Sequence, residues 1–196
     1  MSTLAELIAR WDSDEGKPYK GNLINWTAYE ADPTNIGCMC AQGQVLSVVG
    51  GWTADKLRDA EQRDADKATA KLLNISTAHA VLLRLVNDKV DGAPSIVLTH
   101  PEKVLGDQAH AVLAFWRHLD RMTAGQWAAW AAAWAAAMDA TGAAAWAVQY
   151  ASAEIQGARI MREKGQPFYF LPMFGFADSE AVLAADAPNS TEGEKT

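Results

Sequence analysis

Cysteine is nearly absent. The 196-residue chain has two, Cys38 and Cys40, with only Met39 between them. A disulfide across so small a ring would be strained and no other pairing exists, so a disulfide-stapled scaffold is excluded. Two thiols and four histidines show no zinc-ligand spacing, and no metal or other cofactor is expected. Also missing are a phosphate-cradling glycine loop, a dinucleotide fingerprint, a Gly-x-Ser-x-Gly elbow and a His-Glu-x-x-His helix. Common ATPases, dehydrogenases, serine hydrolases and zinc proteases lose their support. Basic residues are outnumbered, 17 against 24 acidic ones, for a formal net charge of -7. Nothing offsets phosphate repulsion over the whole surface, which argues against nonspecific binding to nucleic acid or anionic membranes. The first ten residues lack a basic region followed by an apolar run. They read as a helix rather than an export signal, and a cytoplasmic location is expected.

What is present is apolar residue content, 49% of the chain, enough for a sizeable core. Its spacing is helical. Thr3-Leu4-Ala5-Glu6 is a capping box, followed by Leu7, Ile8 and Trp11 on one face. Residues 37–49 read as a short buried helix ended by Gly50-Gly51. Thr53 caps a strongly charged helix with a thin seam of Leu57, Ala60, Ala68 and Leu72. At Asn74 a left-handed turn leads through Ser76 into a helix holding Val81, Leu82, Leu85 and Val86. Further starts stand at Thr99-His100-Pro101-Glu102 and Thr123-Ala124-Gly125-Gln126. Short extended pieces are expected near Leu23 and at Ser95 to Leu98.

Residues 128–147 contain 13 alanines in 20 positions, and Trp127, Trp130, Trp134 and Met138 fall in one row. Alanine is the best helix former, so a long helix, kinked near Gly142, is expected. The tract is long enough for a bilayer, but alanine hardly favours lipid and Asp139 interrupts it, so no membrane span is expected. The fold class is all-α: a bundle of about six to eight helices on ordinary helix lengths. It reads as one domain over residues 1–186 with a disordered tail, 187–196. The tryptophan-studded alanine tract resembles those of bacterial and phage accessory proteins, and no functional residue is carried over from that resemblance.

Four groups are candidate sites. Cys38 or Cys40 at a helix N-terminus would have its thiolate favoured by the dipole, with Gln42 and Gln44 as oxyanion donors and a histidine such as His110 as base. The bland alternative is two small buried hydrophobes. His110 and His118 lie eight residues apart, two turns along one helix face, where a solvated edge is the plainer reading. Residues 66–86 match a helix-turn-helix that would turn Thr77, His79 and Arg84 to a DNA major groove, but they carry no basic footprint. Residues 168–176 are densely aromatic. Phe168, Tyr169, Phe170, Phe174 and Phe176 would dock a partner or else fold back onto the bundle. The tryptophan row is a core seam or the face of a homo-oligomer.

The leading functional expectation is a noncatalytic interaction protein, of the adaptor, inhibitor or immunity type, with a protein partner and no nucleic acid. A cysteine-dependent enzyme and a DNA-binding regulator are the alternatives.

Overall fold

A computed structural model describes residues 3–13, 15–139 and 174–187. Among them the regular elements are helices, and the one β-type pairing is an isolated antiparallel bridge between Ile24 and Met39. The chain divides into two compact units, Met1–Val104 and Leu105–Thr196. Among the described residues no helix is long and apolar enough to cross a membrane.

The first unit opens with α1, Leu4–Asp12. Its capping box is formed: Thr3 Oγ1 accepts from Glu6 N–H, and Thr3 N–H donates to Glu6 Oε2 at 2.9 Å. Leu7 and Trp11 are its buried face. After α2, Trp26–Ala31, a 3-10 turn at Ile36–Cys38 leads into the bridge. The helix expected over residues 37–49 is thus broken into parts. Cys38 ends the 3-10 turn, Met39 is extended, and only then does α3 run over Ala41–Gln44, continuing as a π-turn over Val45–Val49. Residues 41–46 are wholly buried. The bridge is short but firm: Asn25 N–H donates to Cys38 O at 2.7 Å, and Cys40 N–H to Leu23 O at 3.1 Å.

The single charged helix expected after Thr53 is also two, α4 at Ala54–Asp59 and α5 at Gln62–Leu73. Ala60 between them is extended, and the break brings Leu57 and Ala65 into one core cluster with Leu23, Cys38, Met39 and Leu46. The turn after α5 is as read from sequence. Asn74 sits at φ 52, ψ 46, and Ser76 Oγ accepts from His79 N–H at 3.1 Å to start α6, Thr77–Lys89.

The run Ser95 to Leu98, expected to be extended, is helical. It forms α7, Ile96–Thr99, with Thr99 Oγ1 donating back to Ser95 O. Val97 is fully buried and its carbonyl lies 2.9 Å from His79 Nε2, so tertiary contacts override the β-branched preference. A one-turn α8, Glu102–Leu105, follows.

The second unit holds α9, Ala109–Arg121, α10, Ala124–Asp139, and α11, Ser179–Asp186. The Thr123–Gln126 start is formed, Thr123 N–H donating to Gln126 Oε1 at 2.8 Å. The first two members of the tryptophan row, Trp127 and Trp130, meet edge-on at 5.7 Å and are half-buried. Gly142 and the tail after residue 187 lie outside the described residues.

Candidate functional site

The strongest concentration of polar chemistry lies inside the first unit. Gln42 and Gln44, two residues apart in the one-turn α3, are fully buried. A buried amide costs free energy unless both its ends are paired. Gln42 Nε2 donates to Asp66 Oδ1 at 2.8 Å and to Ala80 O at 3.0 Å, and its Oε1 accepts from Gln62 Nε2 at 2.9 Å. Asp66, at 6% exposure, also accepts from Arg84 Nε and Nη2, each at 3.3 Å. Gln44 is held separately. Trp11 Nε1–H donates to its Oε1 at 2.8 Å, and its Nε2 donates to Gly16 O and Met39 O, both at 3.1 Å. These amides knit α1, α3, α5 and α6 together. Neither is turned toward an oxyanion.

Cys40 does cap α3, with its Sγ accepting from Gly43 N–H at 3.4 Å. The expected activation of its thiol is nevertheless reversed. Burial pushes the Cys40 pKa up to about 11, outweighing the Gly43 and Gln42 N–H groups that favour the thiolate. Burial raises Cys38 as well. At pH 7 the thiolate fraction of Cys40 is roughly 10⁻⁴. In the native protein, alkylation by iodoacetamide at neutral pH should therefore be slow at both thiols and quicken only above about pH 10 or in denaturant. Rapid labelling of either thiol at pH 7, read by mass spectrometry, would restore the nucleophile reading.

α5, the left-handed Asn74 and α6 follow one another as helix, turn and helix, but α6 is largely enclosed. Eight of its thirteen residues are buried, from Ala78 to Asn87. A helix that reads a groove must offer its side chains outward. His79 is 5% exposed and bonded to Val97 O, Arg84 is spent on Asp66, and Thr77 is half-buried. His79 is thus internal to the fold, and Arg84 is engaged within it.

At the surface, aromatic and basic side chains interleave. Trp26 and Tyr29 of α2 lie 5.4 Å apart, with Trp26 Nε1–H donating to Glu30 Oε1 at 2.8 Å. Arg58 of α4 stands over the Trp26 ring at 4.4 Å, and Lys56, two residues earlier, over the Trp52 ring at 3.9 Å. Ion pairs from Arg58 to Asp55, at 3.2 Å, and to Asp59, at 2.9 Å, hold the guanidinium in place. Trp26, Tyr29 and Trp52 are half-buried, their inner edges packed on the core cluster. Sequence reading overlooked this patch because its tryptophans are scattered along the chain. The 26–29–30 helical spacing was the signal that could have found half of it.

In the second unit His110 is exposed on α9. His118 is half-buried edge-on to Phe176 at 4.7 Å, and burial first, then Arg121, lowers its pKa. The two histidines therefore do not share one solvated face. Phe174 lies between Phe115, edge-on at 5.0 Å, and Trp130, stacked at 5.5 Å. Phe174 and Phe176 are thus folded back on the unit, whereas Phe168, Tyr169 and Phe170 lie outside the described residues. Asp186 closes the same face: Arg117 Nε donates to its two oxygens at 3.1 and 2.9 Å, and Arg121 Nη2 donates at 2.9 Å. The Arg117 contacts hold the Asp186 carboxyl below its ordinary pKa. Among the described residues no group of three or more His, Cys, Asp or Glu is placed to hold a metal ion.

No known protein family matches the chain, and no curated protein or solved structure compared with it is similar.

Proposed function

We propose that the chain is a noncatalytic protein-interaction protein of the cytoplasm, an adaptor, inhibitor or immunity-type protein, whose first unit docks a partner through Trp26, Tyr29, Trp52 and Arg58. The observation that carries this reading is the division of labour in that unit. Its Cys40 thiol, buried amides, Asp66 and His79 are committed to one another or to the backbone. Its half-exposed aromatics are braced by Arg58 and Lys56. Trp, Tyr and Arg are the side chains that dominate interface energetics, because each buries a large area at modest entropic cost. Pre-positioning by ion pairs and ring contacts lowers that cost further.

The test is quantitative affinity purification of the tagged full chain from its native cells after nuclease treatment. Wild type is compared with Trp52→Ala and with Arg58→Glu. A stoichiometric protein should be recovered by wild type and lost at least about tenfold by each variant, since hot-spot truncations cost about 2 kcal/mol or more. Circular dichroism melts of the same variants separate loss of docking from loss of fold. Equal recovery by all three chains, or no stoichiometric protein at all, speaks against the reading.

A further inference from the structure

The second unit carries a surface of the same residue types that is already occupied. On α9, Phe115, Arg117, His118 and Arg121 form a face on which residues 174–187 of the same chain are seated. The seat has three anchors. Phe174 and Phe176 meet the rings of Phe115 and His118. Val182 is buried to 1% exposure. Asp186, four residues further along α11, brings its carboxylate to both guanidiniums. Val182 and Asp186 thus share the inward face of α11, while Leu183 is 43% exposed.

Helices shorter than about 12 residues are marginal on their own, and α11 has eight, so it is helical because it is docked. Its hold on α9 is made by Val182 and Phe176, both buried, and by Asp186, whose partners Arg117 and Arg121 are partly exposed. The surface it covers, arginine and aromatic, is the type that concentrates binding energy.

We infer that the Phe115–Arg121 face of α9 is an interaction surface that residues 174–187 occupy in place of a partner, and that the partner presents a short helix with an aromatic side chain and a carboxylate arranged as Phe176 and Asp186 are. This rests on the reading of the chain as an interaction protein and adds a second surface, its partner chemistry and its regulation. The segment is a competitor in cis. A partner must displace it, and weakening its hold exposes the face.

The test uses the full chain and a fluorescein-labelled peptide with the sequence of residues 174–187, read by fluorescence anisotropy. Asp186→Ala should bind the peptide at least about tenfold more tightly than wild type, because the internal competitor is weakened. Adding Arg117→Ala to Asp186→Ala should abolish the gain, because the peptide carboxylate then loses its bidentate partner. Arg121→Ala, which removes only one contact, should reduce it partially and guards against loss of fold in the double variant. Equal affinity of wild type and Asp186→Ala, no peptide binding, or indifference to Arg117 overturns the inference and leaves the Trp26–Trp52 reading standing. Concentration-dependent dimerisation of Asp186→Ala in light scattering, with no peptide binding, overturns it in favour of a second copy as occupant. If the peptide binds as expected but Asp186→Ala recovers no partner from cells, the interaction reading is what fails.

Discussion

Gly43→Ala is expected to unfold the first unit under conditions where the wild type is stable. A Cβ at Gly43 would stand 2.0 Å from the Leu23 carbonyl oxygen and 3.1 Å from Met39 Cβ. The obstacle is backbone, not a side chain that can swing away. Leu23 O is also the acceptor for Cys40 N–H, one of the hydrogen bonds that tie the extended residues 23–25 to residues 38–40. To make room, α3 must lift off that strand-like pair, and it carries Gln42 and Gln44 with it. Overpacking combined with a broken buried bridge should cost about 3–5 kcal/mol. In a unit of this size that is a fall in Tm of roughly 12 °C or more. Gly51→Ala is the control. Gly51 has φ +65 with nothing within 4 Å of its built Cβ, so only the left-handed backbone penalty of about 1–2 kcal/mol applies. A Gly43→Ala chain that melts no lower than Gly51→Ala would show that α3 does not approach Leu23 closely.

Gly43 also marks where sequence reading ran out. Features that span four residues or fewer were legible: the Thr3–Glu6 and Thr123–Gln126 boxes, the left-handed Asn74, the Ser76 cap. The all-α class followed from them. The local rule that Cys40 caps a helix was also right, but burial, a property of the whole unit, decided its chemistry. Ser95 to Leu98 failed for the same reason, its β-branched residues being recruited into a turn by His79, 18 positions away. The candidate sites depend on still longer separations: 24 residues from Gln42 to Asp66, 33 from Trp11 to Gln44, 69 from Arg117 to Asp186. No periodicity in one segment specifies a partner in another. Asp66 reads from the sequence as one more charge on a charged helix, yet the face that α5 buries is Ala65, Asp66, Thr69 and Ala70, and Leu72 of the expected seam is exposed.

That carboxylate is the second position with a large expected effect. Asp66→Ala should destabilise the first unit by about 3–5 kcal/mol, because it removes one partner of a buried pair and leaves the others in place. Gln42 Nε2 would keep Ala80 O, but Gln62 Nε2 and the Arg84 guanidinium would lose their shared acceptor. Asp66→Asn is the more discriminating change, since it keeps the shape. Both Asp66 oxygens accept: Oδ1 from Gln42, Gln62 and Arg84 Nε, Oδ2 from Arg84 Nη2. Whichever way the new amide turns, its NH₂ group faces a donor, so about 1–3 kcal/mol should be lost despite unchanged volume. Arg84→Ala alone should cost less than Asp66→Ala, because the guanidinium is partly exposed and Asp66 would retain two amide donors. The Asp66→Ala/Arg84→Ala double variant should then fall short of the sum of the singles by about 0.5–3 kcal/mol, the signature of a shared network. Chemical denaturation of the four chains measures that shortfall. Strict additivity would mean that the carboxylate and the guanidinium act independently, and that Gln42, rather than the ion pair, sets the register of α3 against α5 and α6.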